Sequence, residues 1–227
     1  MLMYSELSLL EQLKAFNRLI GLTQEPANFE AIYDLDELLQ KTRLSQISLD
    51  YLKSQPEVAA LIQERYLAPV PDLDKLITYP QDSLGYAFAS HLIANQFDPA
   101  FYRQRNAIDD ISYVAVRRSQ THDIYHVITG FGTDLGGELG LQAFQLAQFR
   151  SPISITLLVA GIIHNFANPR ALEEQMQQIF RGWEMGLKAK PLMAQKGEEQ
   201  WEKPLLHWQV ELGIKSINAY AGLSIAA

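Results

Sequence analysis

An all-α helical bundle is the fold class this 227-residue sequence predicts, and three observations carry the prediction. Apolar residues recur at three- and four-residue spacing along most of the chain. Asp, Ser and Asn stand where such runs begin, and Gly or Pro stands where they end. Alternating strand patterns are sparse. The ISITLLV run from Ile153 is β-prone, but a short apolar run has no period that assigns it.

Leu9, Leu13, Phe16 and Ile20 predict a first amphipathic helix stopping at Gly21, a left-handed C-cap. Phe29, Ile32, Tyr33, Asp36 and Leu39 predict a second. Pro56 in a first turn, followed by Val58, Leu61, Ile62 and Arg65, predicts a third that Pro69 and Pro71 stop. Residues 1–70 therefore read as a helical arm or subdomain. It joins the domain of residues 71–227 through Ala68-Pro69-Val70-Pro71, or is continuous with it. From Asp82, a capped segment with Leu84, Phe88, Leu92 and Ile93 predicts a helix ending near Asn95, and Asp98-Pro99 can start a short one. A long helix runs from about Asp110 to Ile128 and ends at Gly130-Phe131-Gly132; Thr133 or Asp134 caps its successor over 135–149. The uncharged 152–163 segment follows. Asn168-Pro169 then opens a helix carrying Met176, Ile179, Phe180 and Trp183 on one side, and a last helix holds Trp201 to Leu212.

The length suits one domain, given roughly 100 to 200 residues per domain. With 48% apolar and 20% charged residues, the chain can bury a core. Nineteen Lys and Arg against twenty-six Asp and Glu give a net charge of −7, which speaks against nucleic acid as a partner. With no cysteine there is no disulfide, thiolate metal site or thiol nucleophile, so any metal is held by nitrogen and oxygen. Residues 1–6 lack the pattern of a signal or transit peptide, which predicts a cytoplasmic protein or one peripheral on the cytoplasmic membrane face. The apolar stretch from Ile153 to Ile163 is well short of the ~20 residues that span a bilayer, while a peripheral contact stays open.

One segment concentrates ligand-type side chains: His122-Asp123-Ile124-Tyr125-His126, then eleven residues, then Glu138. On a helix His122 and His126 share a face, with Asp123 beside them. The glycine-broken hairpin returns Glu138 toward them, and Gly136 and Gly140 would let the two helices approach closely. Two imidazoles and one or two carboxylates suit a divalent metal and do not choose among Zn²⁺, Fe²⁺ and Mn²⁺, of which Zn²⁺ is the one expected here. A chance helical pair of histidines is the bland alternative. Peptidase chemistry is disfavoured, because HExxH needs Glu where Asp123 stands one methylene shorter. An HD-type metal phosphohydrolase would need a further His and Asp, for which His91 and Asp134 are the candidates. No glycine-rich dinucleotide fingerprint is present, so neither nicotinamide nor flavin is expected.

Other residues carry two readings. Ile153, Leu157, Leu158 and Ile162 could line a groove for an isoprenoid tail or form a core helix. Arg117 and Arg118 could bind a lipid phosphate or substrate carboxylate, or serve as ion-pair partners. His164 reads as a base behind the ligands or as a structural group, and His91 and His207 read as surface or core. Trp183, Trp201 and Trp208 fit an interfacial belt or the core.

The element HDIYHVITGFGTDLGGE resembles the signature of the Coq-four family of coenzyme Q biosynthesis proteins. The similarity extends over about residues 70–215, through Tyr79-Pro80, Ser83-Leu84-Gly85, Asp98-Pro99, Tyr113-Val114, Arg118, Gln120, Trp201-Glu202 and Glu211 to Ile214. It implies an all-α protein of quinone biosynthesis at the membrane periphery that binds a polyprenyl intermediate and helps organise other pathway enzymes. It also implies that His122, Asp123, His126 and Glu138 are the metal set, at the centre of the bundle, and links the site to ring C1 decarboxylation and hydroxylation of a polyprenyl hydroxybenzoate. A lipid-binding scaffold with a structural metal is the alternative. A homodimer is expected by base rate alone.

Overall fold

The computed structural model describes residues 7–100 and 106–217. Its α-helices are α1 (Leu9–Gln24), α2 (Phe29–Gln40), α3 (Arg43–Lys53), α4 (Pro56–Glu64), α5 (Leu73–Leu76), α6 (Leu84–Asn95), α7 (Asp110–Thr129), α8 (Leu135–Phe149), α9 (Pro152–Asn165), α10 (Pro169–Lys188) and α11 (Leu205–Leu212), with 3-10 turns at Leu192–Ala194 and Gly197–Glu199. Starts follow local chemistry. Ser83, Asp134 and Asn168 accept from backbone N–H groups in the first turns of α6, α8 and α10. Asp109 and Ser112 form a reciprocal capping box on α7.

Several elements depart from the sequence reading or settle what it left open. Helix α1 passes through Gly21 to Gln24, because one more turn carries Leu22 into full burial. Its stripe of Leu9, Leu13, Phe16 and Ile20 faces outward, while Ala15, Leu19 and Leu22 seat against α2 and α9. Helix α3 has no counterpart in the reading: its buried side holds Ser45 and Ser48 beside Leu49 and Leu52, so hydroxyls break the apolar period. The ISITLLV run is helical, with Pro152 in the first turn of α9. The last helix begins at Leu205, not Trp201. The preceding turn gives its Trp201 and Lys203 carbonyls to the backbone N–H groups of Gly85 and Leu84, anchoring the start of α6. A short helix from Asp98-Pro99 would run into 101–105, outside the described residues.

The principal core joins α3 and α4 (Leu49, Leu52, Val58, Leu61, Ile62) to α6 (Leu84, Phe88, Leu92), α7 (Tyr113, Ile124, Ile128) and α8 (Leu141, Phe144, Phe149). A smaller core ties Leu22 and Leu35 to Ile153 and Ala160 of α9. Residues before 70 thus contribute to both cores. Among the described residues no helix is long and apolar enough to cross a membrane.

Helices α8 and α10 pack backbone to backbone. A Cβ built on Gly182 would lie 1.9 Å from the Gly140 carbonyl oxygen, and one on Gly186 would lie 2.6 Å from that of Phe144. Gly182→Ala is therefore expected to push the helices apart. The cost is about 2–3 kcal/mol, a melting-temperature loss of roughly 5–10 °C in a thermal scan. An unchanged melt would contradict this packing.

Candidate metal centre

Helix α7 is buried on two sides. Tyr113, Arg117, Thr121, Ile124 and Ile128 lie along one, which is turned to the principal core, and Arg118, His122 and His126 lie along another. Its end sets the geometry of the site. Gly130, at φ 80°, adopts the left-handed conformation a side chain resists, and its N–H donates to the His126 carbonyl at 2.8 Å. The turn brings the Phe131 carbonyl within 3.0 Å of His126 Nδ1. A carbonyl can only accept, so Nδ1 carries a proton, which leaves Nε2 as the nitrogen able to bind an ion.

His126 is 1% exposed, and its Nε2 is buried with no hydrogen-bond partner among the described residues. It lies 3.2 Å from Glu138 Oε1 without hydrogen-bond alignment. That is the relation of two groups facing a common point. His122 stands beside it, ring centroids 4.7 Å apart, with Nε2 3.6 Å from Glu138 Oε2 and Nδ1 3.5 Å from Asp123 Oδ1. Ligand-type atoms of His122, Asp123 and His126 all lie within 4.8 Å of one another. Glu138 stands outside that trio yet reaches both imidazoles from the first turn of α8, where the helix dipole also favours a carboxylate.

Opposite charges dominate the electrostatics. Burial pushes the Glu138 carboxyl up, but His126 and His122 outweigh it and hold the group below the usual carboxylate range. Burial likewise works against a charged His122, and Asp123 and Glu138 overcome it, leaving that imidazole above its ordinary range. An orphaned buried nitrogen, a fixed tautomer, a second imidazole and charged carboxylates form a donor set that fits a divalent ion.

The glycines act differently from expectation. Gly140 receives the Phe131 ring, which a Cβ there would meet at 2.4 Å, and a Cβ on Gly136 would lie 3.2 Å from Asp134 Oδ1 and 3.7 Å from Gln178 Cγ of α10. They seat the α7–α8 loop and α10 and do not draw α7 onto α8.

Other candidate residues lie elsewhere. Arg117 is fully buried and binds both oxygens of Glu198, with further bonds to the Gln195 carbonyl and Gln120. Arg118 pairs with Asp36 and donates to Ser151 Oγ at 2.8 Å. Neither guanidinium is presented as an open anion site, because acidic partners from distant segments already fill both. Ile153 and Leu158 are buried, Leu157 and Ile162 half-buried, and the outward residues of α9 are Ile155, Val159 and Ile163. Asp134 is engaged as the α8 cap. His164 Nδ1 bonds the Thr23 carbonyl, joining α9 to α1. His207 is exposed, Trp208 is buried, Trp201 packs on Phe88 and Trp183 is half-exposed.

His91, weighed in the sequence only as the further histidine of a phosphohydrolase or as a surface or core residue, lies against His126. From α6 its ring stacks on that of His126, with centroids 5.6 Å apart and planes at 23°. Burial, then His126, hold it below the usual imidazole range. One turn on, Asn95 Oδ1 accepts from Thr133 Oγ1 at 3.1 Å, fastening α6 to the α7–α8 loop. The pairing is tertiary, so the only local signal is a histidine and an asparagine four apart on one helix.

Comparison with known proteins places this chain among relatives. The model of the family described as coenzyme Q (ubiquinone) biosynthesis protein Coq4 matches residues 7–218. The mitochondrial ubiquinone biosynthesis protein COQ4 homolog of Rattus norvegicus is 30% identical over 174 residues, 73% of this chain and 63% of the rat protein. The mitochondrial COQ4 of Eremothecium gossypii is 30% identical over 184 residues, 79% of this chain and 54% of that protein. The chain thus spans just over half to under two thirds of the length of these relatives. A crystal structure of a candidate ubiquinone biosynthesis protein from Nostoc punctiforme PCC 73102 superposes with a TM-score of 0.82 at 36% identity, covering 91% of this chain and 97% of that one.

Proposed function

Because the chain belongs to the coenzyme Q (ubiquinone) biosynthesis protein Coq4 family, we propose that it works in the making of a coenzyme Q-like quinone by holding a divalent ion, Zn²⁺ foremost, on His122, Asp123, His126 and Glu138 beside a polyprenyl hydroxybenzoate. The observation that carries this reading is the buried, unpaired Nε2 of His126, aimed at Glu138 while Nδ1 is committed to the Phe131 carbonyl. When bound, the ion supplies Lewis acidity toward the carboxylate and phenolic oxygens of the ring. The residues of the chain do the rest. Phe131 fixes the orientation of His126, Glu138 stays charged between the imidazoles, and His122 and Glu138, 22% and 35% exposed, leave the centre open to solvent on their side. The prenyl tail would lie along the outward face of α9, over Ile155, Val159 and Ile163 with Leu157 and Ile162 at its margin.

Zn²⁺ has no redox chemistry, so it suits loss of the ring carboxylate alone; hydroxylation of the same carbon would call for Fe²⁺ and dioxygen. A second reading, a scaffold for other quinone-biosynthesis enzymes with a structural ion and a peripheral membrane contact, draws support from the near-complete burial of His126. The test is release of labelled carbon dioxide from a carboxyl-labelled polyprenyl hydroxybenzoate, with native mass spectrometry reporting bound metal and lipid. Release that stops on chelation and returns with added ion is the expected result. Bound metal and lipid with no release would leave the scaffold; neither metal nor lipid would overturn both.

A further inference from the structure

We propose that Asn95 and Thr133 are positioning residues of this centre: the Asn95 amide, at the end of α6, holds in place the loop whose backbone sets the tautomer of His126. The inference rests on the metal reading above and adds to it two residues that act through the loop and not on the ion.

The Asn95 side chain is engaged at both ends. Its Nδ2 donates to the His91 carbonyl at 2.8 Å, and its Oδ1 accepts from Thr133 Oγ1 at 3.1 Å. A carbonyl only accepts, so the first bond decides which end of the amide is nitrogen and leaves the oxygen turned to the Thr133 hydroxyl. The His91 ring stacks on that of His126, which seats this part of α6 directly against the metal helix. The bridge therefore ties the loop to the element that flanks His126.

Thr133 stands where one anchor serves two ligands. Two residues before it, the Phe131 carbonyl accepts from His126 Nδ1 at 3.0 Å. Immediately after it, Asp134 caps α8: its Oδ1 accepts from the Gly137 N–H at 3.1 Å and its carbonyl from the Glu138 N–H at 2.8 Å. The loop opens on Gly130 at φ 80°, a residue with no side chain to hold it, so its path depends on what grips it further along. The Phe131 ring seated against Gly140 is one such grip and the Thr133 bond is another. Without the second, the Phe131 carbonyl can turn off the His126 ring, and Nε2 then competes for the proton.

Nitrogen-15 NMR of the full chain without metal reads the tautomer at about pH 8, above the ordinary imidazole range, with the His126 signal assigned by its absence from His126→Gln. Wild type should carry the proton on Nδ1. Thr133→Val keeps the shape and loses the hydroxyl; it should give a mixture of tautomers and a Zn²⁺ dissociation constant about tenfold weaker. Thr133→Ser should restore both, and Asn95→Leu should behave as Thr133→Val does. Circular dichroism checks that each variant folds; if Asn95→Leu does not, Asn95→Ala is measured in its place. An unchanged tautomer or unchanged Zn²⁺ affinity in folded Thr133→Val or in the folded Asn95 variant overturns the proposal, as does a loss that Thr133→Ser fails to repair. A wild type that binds no Zn²⁺ overturns the metal reading, while the tautomer comparison, which needs no ion, still decides whether Asn95 and Thr133 position His126.

Discussion

His126→Ala loses metal binding, with a Zn²⁺ dissociation constant more than about 100-fold weaker than wild type, since loss of a supporting group alone costs 10- to 100-fold. The size follows from position. His126 is the most buried of the cluster, its tautomer is fixed by Phe131, and its free nitrogen lies closest to Glu138. The check is a pair of thermal scans with and without Zn²⁺. An ion that binds only the folded chain raises wild-type stability by about 2.7 kcal/mol at 100 times its dissociation constant, and the variant should show no such gain. Loading also depends on pH. Below about pH 6.5 imidazoles begin to carry protons, and in the metal-free protein Asp123 and Glu138 hold His122 above that range. Protons therefore compete from a higher pH at His122, and metal is released as pH falls. An equal Zn²⁺-induced rise in melting temperature in His126→Ala would refute the assignment.

Glu198→Ala destabilises the fold by about 3–5 kcal/mol, because it strands the fully buried Arg117 guanidinium without its carboxylate. In a chain of this size that lowers the melting temperature by about 10 °C or more. The pair fastens the Gly197–Glu199 turn to the side of α7 away from the histidines, and the guanidinium also lies over the Tyr66 ring at 5.1 Å. Replacing both partners with Met should recover most of the loss, since apolar residues of similar volume impose no desolvation cost. A loss below about 1 kcal/mol on Glu198→Ala would mean the charge is solvated.

What could be read before folding was what neighbours in sequence decide. The caps at Ser83, Asp134 and Asn168, the glycine stop at Gly130 and the shared face of His122 and His126 all depend on residues within a turn or two. Glu138 was legible because a single loop separates it from them. Features set across the chain were not. The acidic partners of Arg117 and Arg118 lie 81 and 82 residues away, so neither arginine announces its pairing. Helix α3 hides because serines occupy its buried face, and α1 turns its strongest apolar stripe outward because Leu22 wins the inner position. His91 meets His126 only when α6 lies across α7.

The glycine seam between α8 and α10 has a mechanical side. Gly182 touches the backbone of Gly140, two residues beyond Glu138, with no side chain between to absorb displacement. The opposite face of α10 carries Phe180, Trp183 and Leu187 into the open. At Gly182 helices α8 and α10 therefore meet through backbone alone, two residues from the carboxylate that faces the two imidazoles.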